Sequence, residues 1–349
     1  MRTRTKGRVA VAVAVAVATV SLCPAAVAPA AAQTTPTTAP TNLADALLGL
    51  LSGPTTNATP SAPSFPGDFP DPSVLTVGTR SYAYATQAGP LNVQVISSTD
   101  LVHWTAPANA LPSLPAWADP GSTWAPSVAP NGTRYVMWYT VRHRASGRQC
   151  LSIAIANDPG GPFVDNSAAP AVCQLDHGGS IDPDIFVDAL GVPYLLWKSD
   201  DNAVDRPTHL WGARLNGSYT GLASGAVHLL AQDAAWQGPA VEGPTMVGWG
   251  FTYYLFYGAN AWDSAAAGIG YAMCASPLGP CSDATTTGPW LGTSGAALGP
   301  SGPDVFRDAS GALRLAYHAW YGCTGYPSCR RALWMGSLSF PAGRPVLNP

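Results

Sequence analysis

Three carboxylates fall at equivalent points of a phrase that the chain repeats, and that shared register is its first sign of chemistry. The phrase is a proline, a small or acidic residue and two apolar residues. It returns five times, as Pro72-Ser73-Val74-Leu75, Pro126-Ser127-Val128-Ala129, Pro183-Asp184-Ile185-Phe186, Pro244-Thr245-Met246-Val247 and Pro303-Asp304-Val305-Phe306. The residue before each proline is Asp71, Ala125, Asp182, Gly243 and Gly302 in turn, and in the fourth copy Glu242, the only glutamate of the chain, stands one step earlier. A single Asp-Pro is usually a turn, but turn chemistry gives no reason for the one Glu to share the register. Carboxylates crowded in a concave site repel one another, so their pKa values move apart. With one protonated and one ionised astride a bond, they are the equipment of general acid–base chemistry and, in particular, of glycoside hydrolysis.

The elements that must position these groups follow from the same repeat. Successive prolines are 54, 57, 61 and 59 positions apart. Past a glycine in every copy comes a second apolar stretch: Tyr82-Ala83-Tyr84-Ala85, Tyr135-Val136-Met137-Trp138, Tyr194-Leu195-Leu196-Trp197, Tyr253-Tyr254-Leu255-Phe256 and Leu313-Arg314-Leu315-Ala316-Tyr317. A period near sixty holds four short strands, and five such units arranged radially predict an all-β, five-bladed β-propeller. A β-sandwich has no reason to repeat a proline phrase five times. The first strand of each blade lines the central channel, so the three carboxylates are expected at one channel mouth. Asp184 and Asp304, one position past their prolines, are expected to point away from Asp182-type neighbours by period-two alternation and rank below the trio. Trp124 precedes the channel-lining start of the second blade and is read as a stacking platform for a sugar ring. Trp138, Trp197, Trp211 and Trp334 sit in strand patterns and are expected in the core.

Composition agrees. Hydrophobic residues are 47% and charged residues 11%, which excludes a disordered chain and a coiled coil. Few Glu and Lys, with 36 Gly, 34 Pro, 12 Trp and 13 Tyr, suit short strands and tight turns. Residues 1–32 read as a secretory signal, with basic residues Arg2, Arg4, Lys6 and Arg8, an Ala/Val run from Val9 to Val20 and small residues Ala30, Ala31 and Ala32. The run is too short to span a bilayer, so a secreted, extracellular protein without a membrane anchor is expected. Residues 33–64, rich in Thr, Pro and Ala, read as a linker, and 65–349 as the folded domain. Removing the signal leaves thirteen basic against twenty acidic residues, a balance of −7 that argues against a nucleic-acid partner. The six remaining cysteines fall into local pairs, Cys150–Cys173, Cys274–Cys281 and Cys323–Cys329, expected as disulfides in an oxidising compartment.

Six short motifs, in order, resemble glycoside hydrolase family 43: Asp71-Pro72-Ser73, Ser97-Ser98-Thr99-Asp100-Leu101-Val102-His103-Trp104, Trp124-Ala125-Pro126, Gly161-Pro162-Phe163, Ile181-Asp182-Pro183 and Val241-Glu242-Gly243-Pro244. The resemblance covers the chain from about Phe65 onward. It implies a five-bladed propeller of inverting enzymes that cut arabinose- or xylose-containing plant polysaccharides. Asp71 then matches the general base, Glu242 the general acid, and Asp182 the carboxylate that orients the acid and keeps it protonated. His318, in Tyr317-His318-Ala319-Trp320, resembles a channel-facing histidine that in arabinan-cleaving members stands beside a bound calcium. Both a calcium-linked and a metal-free histidine stay open, and no cofactor is otherwise required. The chain departs from the family at Gly299-Pro300-Ser301-Gly302-Pro303, where members commonly show a Gly-His pair. The expected substrate is a polysaccharide or oligosaccharide with α-L-arabinofuranosyl linkages, cut by a monomer. The expected activity is that of an arabinan endo-1,5-α-L-arabinosidase or an α-L-arabinofuranosidase. The alternatives are a β-xylosidase of the same family and a non-catalytic sugar-binding propeller, which had no need to keep all three carboxylates. A fructan-cleaving propeller usually shows Arg before the middle Asp-Pro and Cys after the Glu, where this chain has Ile181 and Gly243.

Overall fold

The computed structural model describes residues 57–349, and the signal segment and most of the linker lie outside them. The described chain forms five antiparallel sheets in sequence order, four of four strands and one of three. Blade one holds Ser73–Val77, Arg80–Ala85, Gln94–Ser98 and Ala108–Asn109. Blade two holds Ala118–Asn131, Arg134–His143 and Gln149–Ala156, with single bridges to Val172 and Val164 in place of a fourth strand. Blade three runs through Ser180–Val187, Pro193–Ser199, His209–Arg214 and Val227–Ala231, and blade four through Val241–Trp249, Thr252–Ala259, Gly268–Cys274 and Cys281–Asp283. Blade five is Ala297–Arg307, Leu313–Tyr321, Arg331–Ser339 and Val346–Asn348.

Each blade's first hairpin turns on a glycine in the left-handed region: Gly78, Gly132, Gly191, Gly250 and Gly311. A side chain there meets strain from its own backbone, which is why a glycine returns in every copy. The second strands read as continuous apolar runs because both of their faces are covered. Met137 and Tyr139 pack toward blade one, Val136 and Trp138 toward blade three. Leu255 and Tyr257 pack toward blade three, Tyr254 and Phe256 toward blade five. Ala83 and Ala85 join Ala316 and Leu333 of blade five. Five apolar clusters therefore link the blades one to two, two to three, three to four, four to five and five to one, closing a ring whose sheets leave only short outer edges.

The chain preceding the first strand lies on blade five. Ala58 donates its N–H to Leu347 O at 3.0 Å, Phe65 pairs with Leu333, and Phe69 N–H bonds Arg331 O at 2.8 Å. Attachment to the fold thus begins before Phe65. Cys150–Cys173, Cys274–Cys281 and Cys323–Cys329 are all bonded as expected. Trp138, Trp197 and Trp334 are buried as expected, whereas Trp211 is only half-buried, among histidines at the margin of blade three.

Candidate active site

The proline phrase builds the site through a backbone device common to all five blades. Asp71, Ala125, Asp182, Gly243 and Gly302, each just before its proline, all take positive φ, between 40° and 56°. This region is unfavourable for residues with a Cβ, and held strain of this kind clusters where a side chain must be aimed. Strand pairing slips at the same points, between Trp124 and Ser127, Ile181 and Asp184, Glu242 and Thr245, and Ser301 and Asp304. These bulges turn the pre-proline residues toward the axis. Asp71, Ala125, Asp182, Gly243 and Gly302 line one cleft with their prolines.

The same bulges correct one expectation. Asp184 and Asp304 do not point away but line that cleft too, because regular alternation fails where the strand is bulged. They join Ser73, Ser127 and Thr245, the residues after the other three prolines, in an inner ring. Ser127 Oγ donates to Asp184 at 3.3 Å, and Val74 N–H donates to Asp304 at 2.8 Å. The second bond joins the first blade to the last. Burial pushes Asp184 up to about 7, and burial with the charge of Asp184 raises Asp304 well above the usual carboxylate range. Their role in the structure is to stitch blades together.

Asp71 is the carboxylate best equipped to stay ionised. Thr86 Oγ1 donates to it at 2.6 Å, and Arg331 Nη1 lies 3.6 Å from its Oδ1. Burial alone raises its pKa, but the Arg331 cation and the Thr86 hydrogen bond outweigh burial and hold the carboxyl below its ordinary value. Arg331 is itself cradled by Trp262 and Tyr326, its guanidinium 4.8 and 5.8 Å from their ring centres. Both rings are partly exposed, so an aromatic wall flanks Asp71.

Glu242 faces the other side. Buried Lys198 donates to its Oε2 at 3.2 Å and also reaches Asp200 at 3.6 Å. Burial lowers the Lys198 pKa, but Glu242, Asp182 and Asp200 raise it more, so the ammonium stays charged. Asp182 accepts the N–H of Gly243 at 3.0 Å and so is tied to the turn that carries Glu242. The upward shift falls on Asp182, to about 8, from burial first and then the charge of Glu242, with Lys198 opposing. Asp182 therefore holds a proton at neutral pH, next to Glu242. Asp71 draws its partners from blades one and five, Glu242 from blade three, and no hydrogen bond joins the two.

His318 is buried beside Asp71. Burial pushes it down to about 3, and its Nδ1 accepts the N–H of Asp71 at 3.0 Å, so the neutral ring carries its proton on Nε2. A Cβ on Gly302 lies only 2.8 Å from His318 Nδ1. The imidazole, arriving from the neighbouring strand, thus fills the space of a side chain at 302, within the segment Gly299–Pro303 where the chain departs from the family pattern. The one carboxylate beside His318 is Asp71, already held by Thr86 and the Arg331 cation, and the buried Nε2 of His318 has no hydrogen-bond partner among the described residues. Trp124 is half-buried on the first strand of blade two and lies outside the five apolar clusters. Sequence reasoning missed Lys198, Arg331 and Thr86.

The chain is 26% identical over 314 residues to a probable arabinan endo-1,5-alpha-L-arabinosidase A of Aspergillus flavus, covering 82% of this chain and 93% of that protein. It is 28% identical over 270 residues to an arabinoxylan arabinofuranohydrolase of Bacillus subtilis, covering 66% of this chain and 51% of the relative. A crystal structure of a thermostable family-43 glycoside hydrolase superposes with a TM-score of 0.74 at 26% identity, over 84% of this chain and 96% of that one. The family model for glycosyl hydrolases family 43 matches residues 61–341, and with that match over most of its length the chain belongs to this family.

Proposed function

We propose that the protein is a secreted, inverting glycoside hydrolase that cuts α-L-arabinofuranosyl linkages in arabinose-containing plant polysaccharides as a monomer. The observation that carries this reading is the division of one channel mouth. Asp71 is kept ionised by Arg331 and Thr86 on one side, and Asp182, which holds a proton at neutral pH, lies with Glu242 beside Lys198 on the other. Asp71 is the general base that takes a proton from the attacking water. Glu242 is the general acid, delivering a proton to the leaving oxygen, while Asp182, anchored on Gly243 N–H, modulates and orients it. His318 fixes the Asp71 backbone through its N–H, and Trp124 offers a face to a sugar ring. Relatives named for arabinan and arabinoxylan support the arabinose assignment, and one is named as extracellular, an arabinanase of Thermotoga petrophila. A β-xylosidase is the second reading, since the catalytic groups serve either sugar.

The pH dependence has a definite sign. Activity needs Asp71 ionised and Asp182 protonated. The acid limb of kcat/KM therefore lies below the ordinary carboxylate value, and the alkaline limb falls near pH 8, where Asp182 loses its proton. Asp182→Asn removes that group and displaces the alkaline limb, which a profile from pH 3 to 10 reads directly.

The substrate assignment is tested with linear arabinan, branched arabinan, arabinoxylan and xylo-oligosaccharides, products being sized by chromatography. Arabinose or arabino-oligosaccharides released from the arabinans support it. Turnover of xylo-oligosaccharides alone replaces it with the β-xylosidase reading.

A further inference from the structure

Away from the catalytic groups, three of the chain's six histidines meet at the margin of blade three. His177 ends the short helical turn Leu175–His177, Asp201 begins the turn Asp201–Val204, and His209 opens the strand His209–Arg214. The Asp201 side chain is 1% exposed and accepts Ser199 Oγ. Each of its oxygens faces a different imidazole: Oδ1 is 2.8 Å from His177 Nδ1, and Oδ2 is 3.1 Å from His209 Nδ1. The donor atoms of the three residues all lie within 4.8 Å of one another. His228, on the adjacent strand, has its ring centre 4.8 Å from that of His209, and Trp211 packs against all three histidines.

We propose that His177, Asp201 and His209 form a binding site for a divalent transition-metal ion of the zinc class. Two imidazoles and one carboxylate are a donor set for zinc, nickel or copper and unsuited to calcium or magnesium, which want oxygen throughout. Water or His228 completes the coordination.

The donors are held before any ion arrives. The loop carrying His177 packs on the segment carrying Asp201, with Asp200 N–H bonded to Gly179 O at 3.0 Å and Arg206 N–H to Asp201 O at 3.0 Å. Gly178, at φ 75°, lies so close that a Cβ there meets Asp200 O. The neighbouring Asp200 carboxylate reaches Lys198, the partner of Glu242, so the ion staples loops that adjoin the acid side of the active site.

Isothermal titration of the EDTA-stripped full chain with Zn(II), with Co(II) absorption as a spectroscopic readout, tests the proposal. The expected result is one equivalent of Zn(II) bound with Kd at or below about 10 µM, and visible Co(II) bands of a low-coordinate site. A saturating hundredfold excess over Kd raises Tm by roughly 5 °C. His177→Ala and His209→Ala each weaken binding by at least about tenfold, and His143→Ala, a histidine outside the cluster, leaves it unchanged. Tm of the metal-free variants separates a lost ligand from a lost fold. No Zn(II) binding tighter than about 100 µM overturns the proposal, as does binding that both histidine variants retain or that Ca(II) matches.

Discussion

Asp71→Asn is expected to lose at least about a thousandfold in kcat/KM on both a natural arabinan and an aryl arabinofuranoside. Without this carboxylate no group takes the proton of the attacking water, whatever the leaving group, and neither substrate brings a replacement. Asp184 and Asp304 do not substitute, because both are engaged in the inner ring, by Ser127 and by Val74 N–H. Asn is the better test than Ala because Asp71 sits at φ 54°, a conformation Asn tolerates. Arg331 and Thr86 also keep a polar partner. Initial rates on the two substrates, with Tm to show that the fold survives, check the result. An Asp71→Asn variant that keeps its rate on the aryl glycoside removes Asp71 from the role of base.

Glu242→Ala separates the acid from the base. Proton donation matters where the leaving group is poor, so the loss on a sugar polymer is expected to be about 10²- to 10⁴-fold. On an aryl glycoside whose phenolate leaves unaided the loss is much smaller. The substitution leaves Lys198 buried against Asp182 and Asp200, which still balance its charge. Equal losses on the two substrates, measured as kcat/KM, take the acid role away from Glu242.

Much of this fold could be read in the sequence because it is written five times. The proline phrase, the hairpin glycine and the second apolar strand recur at a spacing that only a ring of similar sheets explains, and the cysteine pairs are local. The carboxylate trio was legible for the same reason, through a shared position. What escaped were groups whose meaning depends on contacts between blades. Lys198 ends the run Tyr194-Leu195-Leu196-Trp197, and the available signal was a lone lysine in a strand otherwise fit for burial, where a cation must find a partner. Arg331 belongs to blade five but serves Asp71 of blade one, a pairing that no local spacing announces. Asp184 and Asp304 were misplaced because strand alternation was carried through a bulge.

The central claim is that Asp71 and Glu242 act on opposite faces of one sugar, with a water between base and anomeric carbon. Proton NMR of the first product released from an aryl α-L-arabinofuranoside, followed in real time before mutarotation, tests it most directly. The account predicts β-L-arabinofuranose as the initial product, the inverted configuration, with the α-anomer growing in only as mutarotation proceeds. Initial release of the α-anomer means two displacements through a covalent intermediate and contradicts the assignment of Asp71 as a base.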